Sequence, residues 1–153
     1  MAKVASKGSI KRLADSLAEL SKKRSTVGFF DTATYPDGTP VASVAAIQEF
    51  GAGKIPPRSF MRSTVAEQKE AWKTTLAQGA RYVLADKLTV EQMLDAIGMM
   101  AAGQIKEKIA SITAPGLSGA TIASRLRRNN TSTKPLVDTG YMISSVDSKV
   151  EAR

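Results

Sequence analysis

The chain has 153 residues, enough for one domain that buries roughly 70% of its unfolded surface, and a formal net charge of +8 that favours an anionic partner, either nucleic acid or an acidic protein surface. It has no cysteine and no histidine, which removes disulfides, thiolate metal sites, the commonest general base and the usual zinc ligand together. Aromatic residues are 5% of the chain, so the core must come from Ala, Val, Ile, Leu and the six methionines.

Residues 1–8 read as a flexible basic tail without the apolar run of a signal peptide, and no segment has the ~18 consecutive apolar residues of a membrane span. Ser9 can cap a helix carrying Ile10, Leu13, Leu17 and Leu20 on one stripe, with Lys11, Arg12, Asp15 and Glu19 opposite. Lys22, Lys23 and Arg24 form its exit. Cations there complement the helix dipole, and the same cluster suits an acidic surface or a DNA backbone. Thr26–Phe30 reads as a strand, and Tyr35-Pro36-Asp37-Gly38-Thr39-Pro40 as a turn, either a hairpin tip or a surface loop.

Val44, Ile47 and Phe50 lie at a three-residue spacing on a short helix, which Gly51 ends in the left-handed conformation. Gly53 adds a second joint, and Pro56-Pro57 stiffens the second half of the loop. This describes a loop that projects and returns, with Phe60 as its buried anchor. Lys54, Ile55, Pro56, Pro57 and Arg58 are then expected to meet a neighbouring subunit or partner.

A long helix comes next, with Val65, Trp72, Leu76, Ala80 and Val83 near one face and Trp72 expected at a helix–helix contact. Thr89-Val90-Glu91-Gln92 is a capping box opening a second long helix. Its stripe is Val90, Met93, Leu94, Ile97, Ala101, Ile105, Ile109 and Ile112. Gly98 and Gly103 inside it imply close packing against another backbone. Ala114-Pro115-Gly116 stops that helix, and Ser118 caps a short turn through Leu126. Residues 125–134 are basic and aperiodic, and read as a flexible exposed loop. Asp138 or Thr139 caps a last helical turn, and Ser145–Glu151 alternates as a closing strand beside Thr26–Phe30. The fold class is α+β: one domain over 1–153, a small antiparallel sheet on two long antiparallel helices, with extended projecting loops.

No catalytic, cofactor-binding or metal-ligating set is present in the sequence. The acidic residues are scattered, Ser144-Ser145 has no base nearby, and Gly51-Ala52-Gly53-Lys54 follows a helix where a phosphate loop would follow a strand. Lys22, Lys23, Arg24, Arg125, Arg127 and Arg128 are expected to meet acidic protein neighbours; non-specific contact of the same residues with a DNA backbone is the alternative to a structural role, if the two clusters converge.

Two blocks carry a resemblance. The first runs from the short helix through Glu49-Phe50-Gly51 to Pro56-Pro57-Arg58-Ser59-Phe60-Met61-Arg62. The second is Lys134-Pro135-Leu136-Val137-Asp138-Thr139-Gly140-Tyr141-Met142, then Ser144-Ser145-Val146, with Leu117-Ser118 and Thr121-Ile122-Ala123 between the blocks. In order and spacing, 42–150 resembles the tail-completion or head–tail joining (neck) family of tailed bacteriophages. The Tyr35–Pro40 turn and the 125–134 loop depart from the family pattern. The resemblance implies a virion protein that assembles in the host cytoplasm as a homo-oligomeric ring, six copies favoured, around the DNA channel. Its partners would be the head connector and the tail tube or tail terminator, with channel DNA nearby.

Overall fold

The computed structural model describes residues 7–153, without the side chains of residues 7–9; the basic tail expected at 1–8 lies almost wholly outside the described residues. The described elements run in the order α1 (Lys7–Lys22), β1 (Lys23–Phe29), α2 (Val41–Phe50), α3 (Met61–Leu84), α4 (Val90–Ser111), α5 (Gly119–Arg127), α6 (Tyr141–Ser144) and β2 (Val146–Ala152). The architecture is α+β: a two-stranded antiparallel sheet against the long helices α3 and α4.

β1 and β2 pair from Lys23 opposite Ala152 to Phe29 opposite Val146. A two-stranded ribbon is marginal alone and needs a helix over its apolar face. That helix is α4. Val27, Phe29, Val146 and Val150 pack toward the core, while the other face pairs Arg24 and Thr26 with Glu151 across the strands. Gly98 explains how closely the helix approaches: a Cβ there would overlap the Ser25 hydroxyl and sit 3.0 Å from Ser148 Cβ. Gly103 faces open space, so the close packing expected of both glycines holds only at Gly98.

α4 begins with the capping box read from the sequence, Thr89 Oγ1 accepting from Gln92 N and Gln92 Oε1 accepting from Thr89 N. Its stripe serves two core regions. Val90, Met93 and Leu94 meet Leu20, Ala80, Val83 and Val150 near its N-terminus. Ala102, Ile105 and Ile109 meet Val41, Phe60, Leu136, Met142 and Val146 toward its C-terminus. α3 runs antiparallel beside it: Met93 occupies the space at Gly79, half-buried Trp72 donates its indole N–H to Gln104 at 2.6 Å, and Lys108 pairs with Glu67.

Three local expectations are corrected. The first helix starts at Lys7, so Ser9 lies inside it, and the chain passes from Lys22 directly into β1; Lys23 and Arg24 are strand residues. On α2 the buried face is Val41, Ala45 and Glu49, at i, i+4 and i+8, and Ile47 and Phe50 are exposed. The last helical turn has Gly140 at its N-cap with φ 82° and no side-chain cap there; Thr139 Oγ1 accepts the Tyr141 N–H at 3.5 Å from just outside it, and Asp138 is engaged by Arg128 and Asn130 instead.

Candidate functional site

The two sequence blocks meet at the C-terminal end of α4. Their junction begins with Glu49, a carboxylate in the last turn of α2, where the helix dipole disfavours it. It serves another helix instead. Glu49 Oε2 accepts the backbone N–H of Phe60 at 2.7 Å and of Met61 at 2.9 Å, and Oε1 accepts Arg62 N, Arg62 Nε and the Ser59 hydroxyl. These amides open α3, so Glu49 caps it from eleven residues upstream of Phe60. Burial pushes the carboxyl pKa up, but the bonds from Met61, Arg62 and Ser59 outweigh it and hold the group down at about 2. Phe60 beside it is fully buried, as its anchor role requires, with its ring edge-on to Phe29 at 6.0 Å.

Between Glu49 and Phe60 the loop is a tight hairpin. Ala52 and Ile55 exchange both backbone hydrogen bonds around Gly53-Lys54. Gly51 takes φ 79° and ψ 157°, an extended positive-φ form confined to glycine in place of the left-handed helical one expected, and a Cβ would stand 2.9 Å from Ile55 O. Lys54, Ile55 and Pro57 are exposed at the tip, and Pro56 is half-buried.

Arg58 departs from the expectation that it projects. Its side chain is 5% exposed and turned inward: Nε donates to Pro115 O at 2.7 Å, Nη1 to Gln48 Oε1 and Nη2 to Gly116 O, both at 2.8 Å. It ties the hairpin to the segment that leaves α4. The guanidinium pKa is lowered by burial and by Arg125 nearby.

Arg125 departs from its expectation in the same way as Arg58. α5, capped by Ser118 as read from the sequence, continues to Arg127, and the Arg125 side chain is 4% exposed. Its Nη1 donates to Ser132 O, Lys134 O and Val137 O, and Nη2 to Pro135 O, so the 128–138 segment wraps around one guanidinium. The backbone carbonyls of an aperiodic stretch need donors, and a buried arginine supplies several at once. Arg128 reaches Asp138 at 3.1 Å, whereas Arg127 is exposed.

The basic clusters do not converge. Lys23 pairs with Glu91 in the first turn of α4, and Lys134 donates to Ala110 O in its last turn, roughly 30 Å away at 1.5 Å per residue. Lys23 also pairs with Glu19, and Arg24 with Glu151, so within the first cluster only Lys22 lacks an ion pair among the described residues.

Between the hairpin, the Tyr35–Thr39 turn, α5 and the Leu136–Met142 segment lies a cleft of about 890 Å³. Arg58 and Arg125 line it together with Val44, Ile55, Leu136 and Tyr141. The turn at its rim is a bridged hairpin, with Tyr35 N donating to Thr39 O and Thr34 bridging Pro40.

Apolar side chains are uncovered in several places, among them Val65 and Leu76 on α3, where the apolar periodicity predicts a buried face, Met99 on α4 and Leu126 on α5; two groups lie at opposite ends of α4. On α1, Ile10 is 57% and Leu17 56% exposed, beside exposed Leu13 and Leu84. At the other end of α4, Phe50 is 63% exposed with the Arg62 guanidinium over its ring, and Ile55 is exposed at the hairpin. Among the described residues no group of acidic side chains is placed to hold a metal ion, and no helix is long and apolar enough to cross a membrane.

No protein-family model, no curated protein and no solved structure matches this chain.

Proposed function

We propose that the chain is a structural virion subunit of a tailed bacteriophage, a tail-completion or neck protein that forms a closed ring around the DNA channel and joins tail to head. The observation that carries this reading is that different groups of uncovered apolar side chains lie at opposite ends of α4: Ile10, Leu13 and Leu17 at one, Phe50 and Ile55 at the other. Two different patches on one subunit favour a head-to-tail contact, which closes into a ring when the rotation allows. A two-fold dimer would use the same patch twice.

The resemblance of 42–150 to the neck family supplies the specific form, with head connector and tail tube or terminator as neighbours. The hairpin Lys54, Ile55, Pro56 and Pro57 is the joining element in this reading, and Arg58 holds it from inside. The separation of the basic clusters weighs against a continuous surface tracking a DNA backbone, and ring formation itself needs no enzymatic step.

Native mass spectrometry and electron microscopy of the purified chain and of assembled particles test the reading. Rings of one defined copy number, six favoured, support it. Monomers or two-fold dimers within finished particles overturn it.

A further inference from the structure

The cleft beside the hairpin has a second use independent of ring closure. Its lining brings two guanidiniums together, each more than nine-tenths buried, and no carboxylate pairs with Arg58 among the described residues. Arg58 uses three of its five N–H donors, on two carbonyls and one amide oxygen. Arg125 leaves Nε without a hydrogen-bond acceptor, Asp138 Oδ1 standing 3.5 Å away. Asp138 is itself shared with Arg128 and Asn130. Lys54 and Arg128 add positive charge to the lining, against Asp37 and Asp138.

Arg58 is held on neutral oxygens alone and Arg125 shares the single carboxylate of Asp138 with Arg128, so positive charge is in excess, and an entering carboxylate would relieve that more than a neutral group could. The walls determine what else the ligand must carry. Val44, Ile55, Leu136 and Met142 are apolar, and the tilted rings of Tyr35 and Tyr141 meet beside them with centroids 5.7 Å apart. A bare inorganic anion would leave those walls unused.

We infer that this cleft receives an extended acidic segment of a partner protein, an aspartate or glutamate flanked by apolar residues, with the carboxylate directed at Arg58 and Arg125. Recognition would combine charge-assisted hydrogen bonds at the floor with apolar contact along the walls.

The probe is a fluorescein-labelled hexapeptide of alternating leucine and aspartate, with a leucine–asparagine version and a labelled single-stranded oligothymidine as controls. Anisotropy titrations are run on the full chain. The aspartate peptide should bind at least ~10-fold more tightly than the asparagine peptide, as charge-assisted hydrogen bonds require. In ¹⁵N spectra it should shift the Nε–H resonances of Arg58 and Arg125 and leave that of Arg81, on α3, in place. Arg58→Gln should lower affinity by ~10-fold or more. Because Arg58 is buried, Lys54→Glu at the exposed rim is the companion variant that keeps the fold, and it should weaken binding several-fold. Equal affinity for both peptides, absence of binding, shifts confined to other arginines, or preference for the oligonucleotide would each overturn the inference. Binding is scored on the subunit whatever its oligomeric state, so its failure and a failure to form rings are separate results.

Discussion

The Glu49 carboxylate accepts the backbone N–H of Phe60 at 2.7 Å, joining the end of one helix to the start of another across a hairpin. It makes the loop between them a closed unit: Phe60 fixes the apolar end and Glu49 the polar end.

That bond gives stability a pH dependence. The folded-state pKa of Glu49 is about 2 against an ordinary 4.5, so the folded state favours the ionised form. Its contribution is complete above pH 4.5 and is lost as pH falls toward 2, by at most about 3 kcal/mol. Glu49→Gln should unfold at lower denaturant concentration at pH 7 and lose part of the wild-type difference between pH 7 and pH 3, the remainder including Glu151, whose carboxyl is likewise held down at about 2 by Lys149, Thr26 and Arg24. Urea titrations at the two pH values check both statements. An unchanged pH dependence would remove Glu49 as its source.

Phe60 and Ile55 should separate folding from assembly. Phe60 is fully buried against Phe29, so Phe60→Ala should cost ~3–5 kcal/mol and impair folding itself. Ile55 is exposed at the hairpin, so Ile55→Asp should leave circular dichroism and thermal melting near wild type while blocking rings or head–tail joining. Normal infectious particles from Ile55→Asp would rule out the hairpin as the joining element.

The two glycines inside α4 predict opposite signs. Gly98→Ala drives a methyl into Ser25 and Ser148 and should destabilise the packing of α4 on the sheet. Gly103→Ala meets open space in the same helix and should stabilise by up to ~1 kcal/mol. Thermal denaturation of the two variants decides the matter.

Arg125 and Arg127 also differ. Arg125→Gln removes the donors to four carbonyls between Ser132 and Val137, and amide hydrogen exchange across 128–138 should accelerate. Arg127→Gln, on an exposed side chain, should leave exchange there unchanged.

The sequence by itself determined the elements whose causes are local. Apolar periodicity set α4, the Thr89 box set its start, Ser118 set the start of α5, β-branched and aromatic residues placed the first strand, and alternation placed the closing one. Phe60 was legible as an anchor because a buried aromatic follows so many backbone joints. Only the tertiary structure decided what the charged residues do. Arg58 and Arg125 look like exposed cations in a polar stretch, yet each is drawn inside by carbonyls that no sequence spacing announces. Glu49 carried a clue, an acid at the wrong end of a helix, but its partners lie across a turn whose path depends on the whole fold. Periodicity records which residues avoid water. Which buried charge meets which backbone group is fixed by three-dimensional closure, and here that closure forms both the hairpin and the cleft beside it.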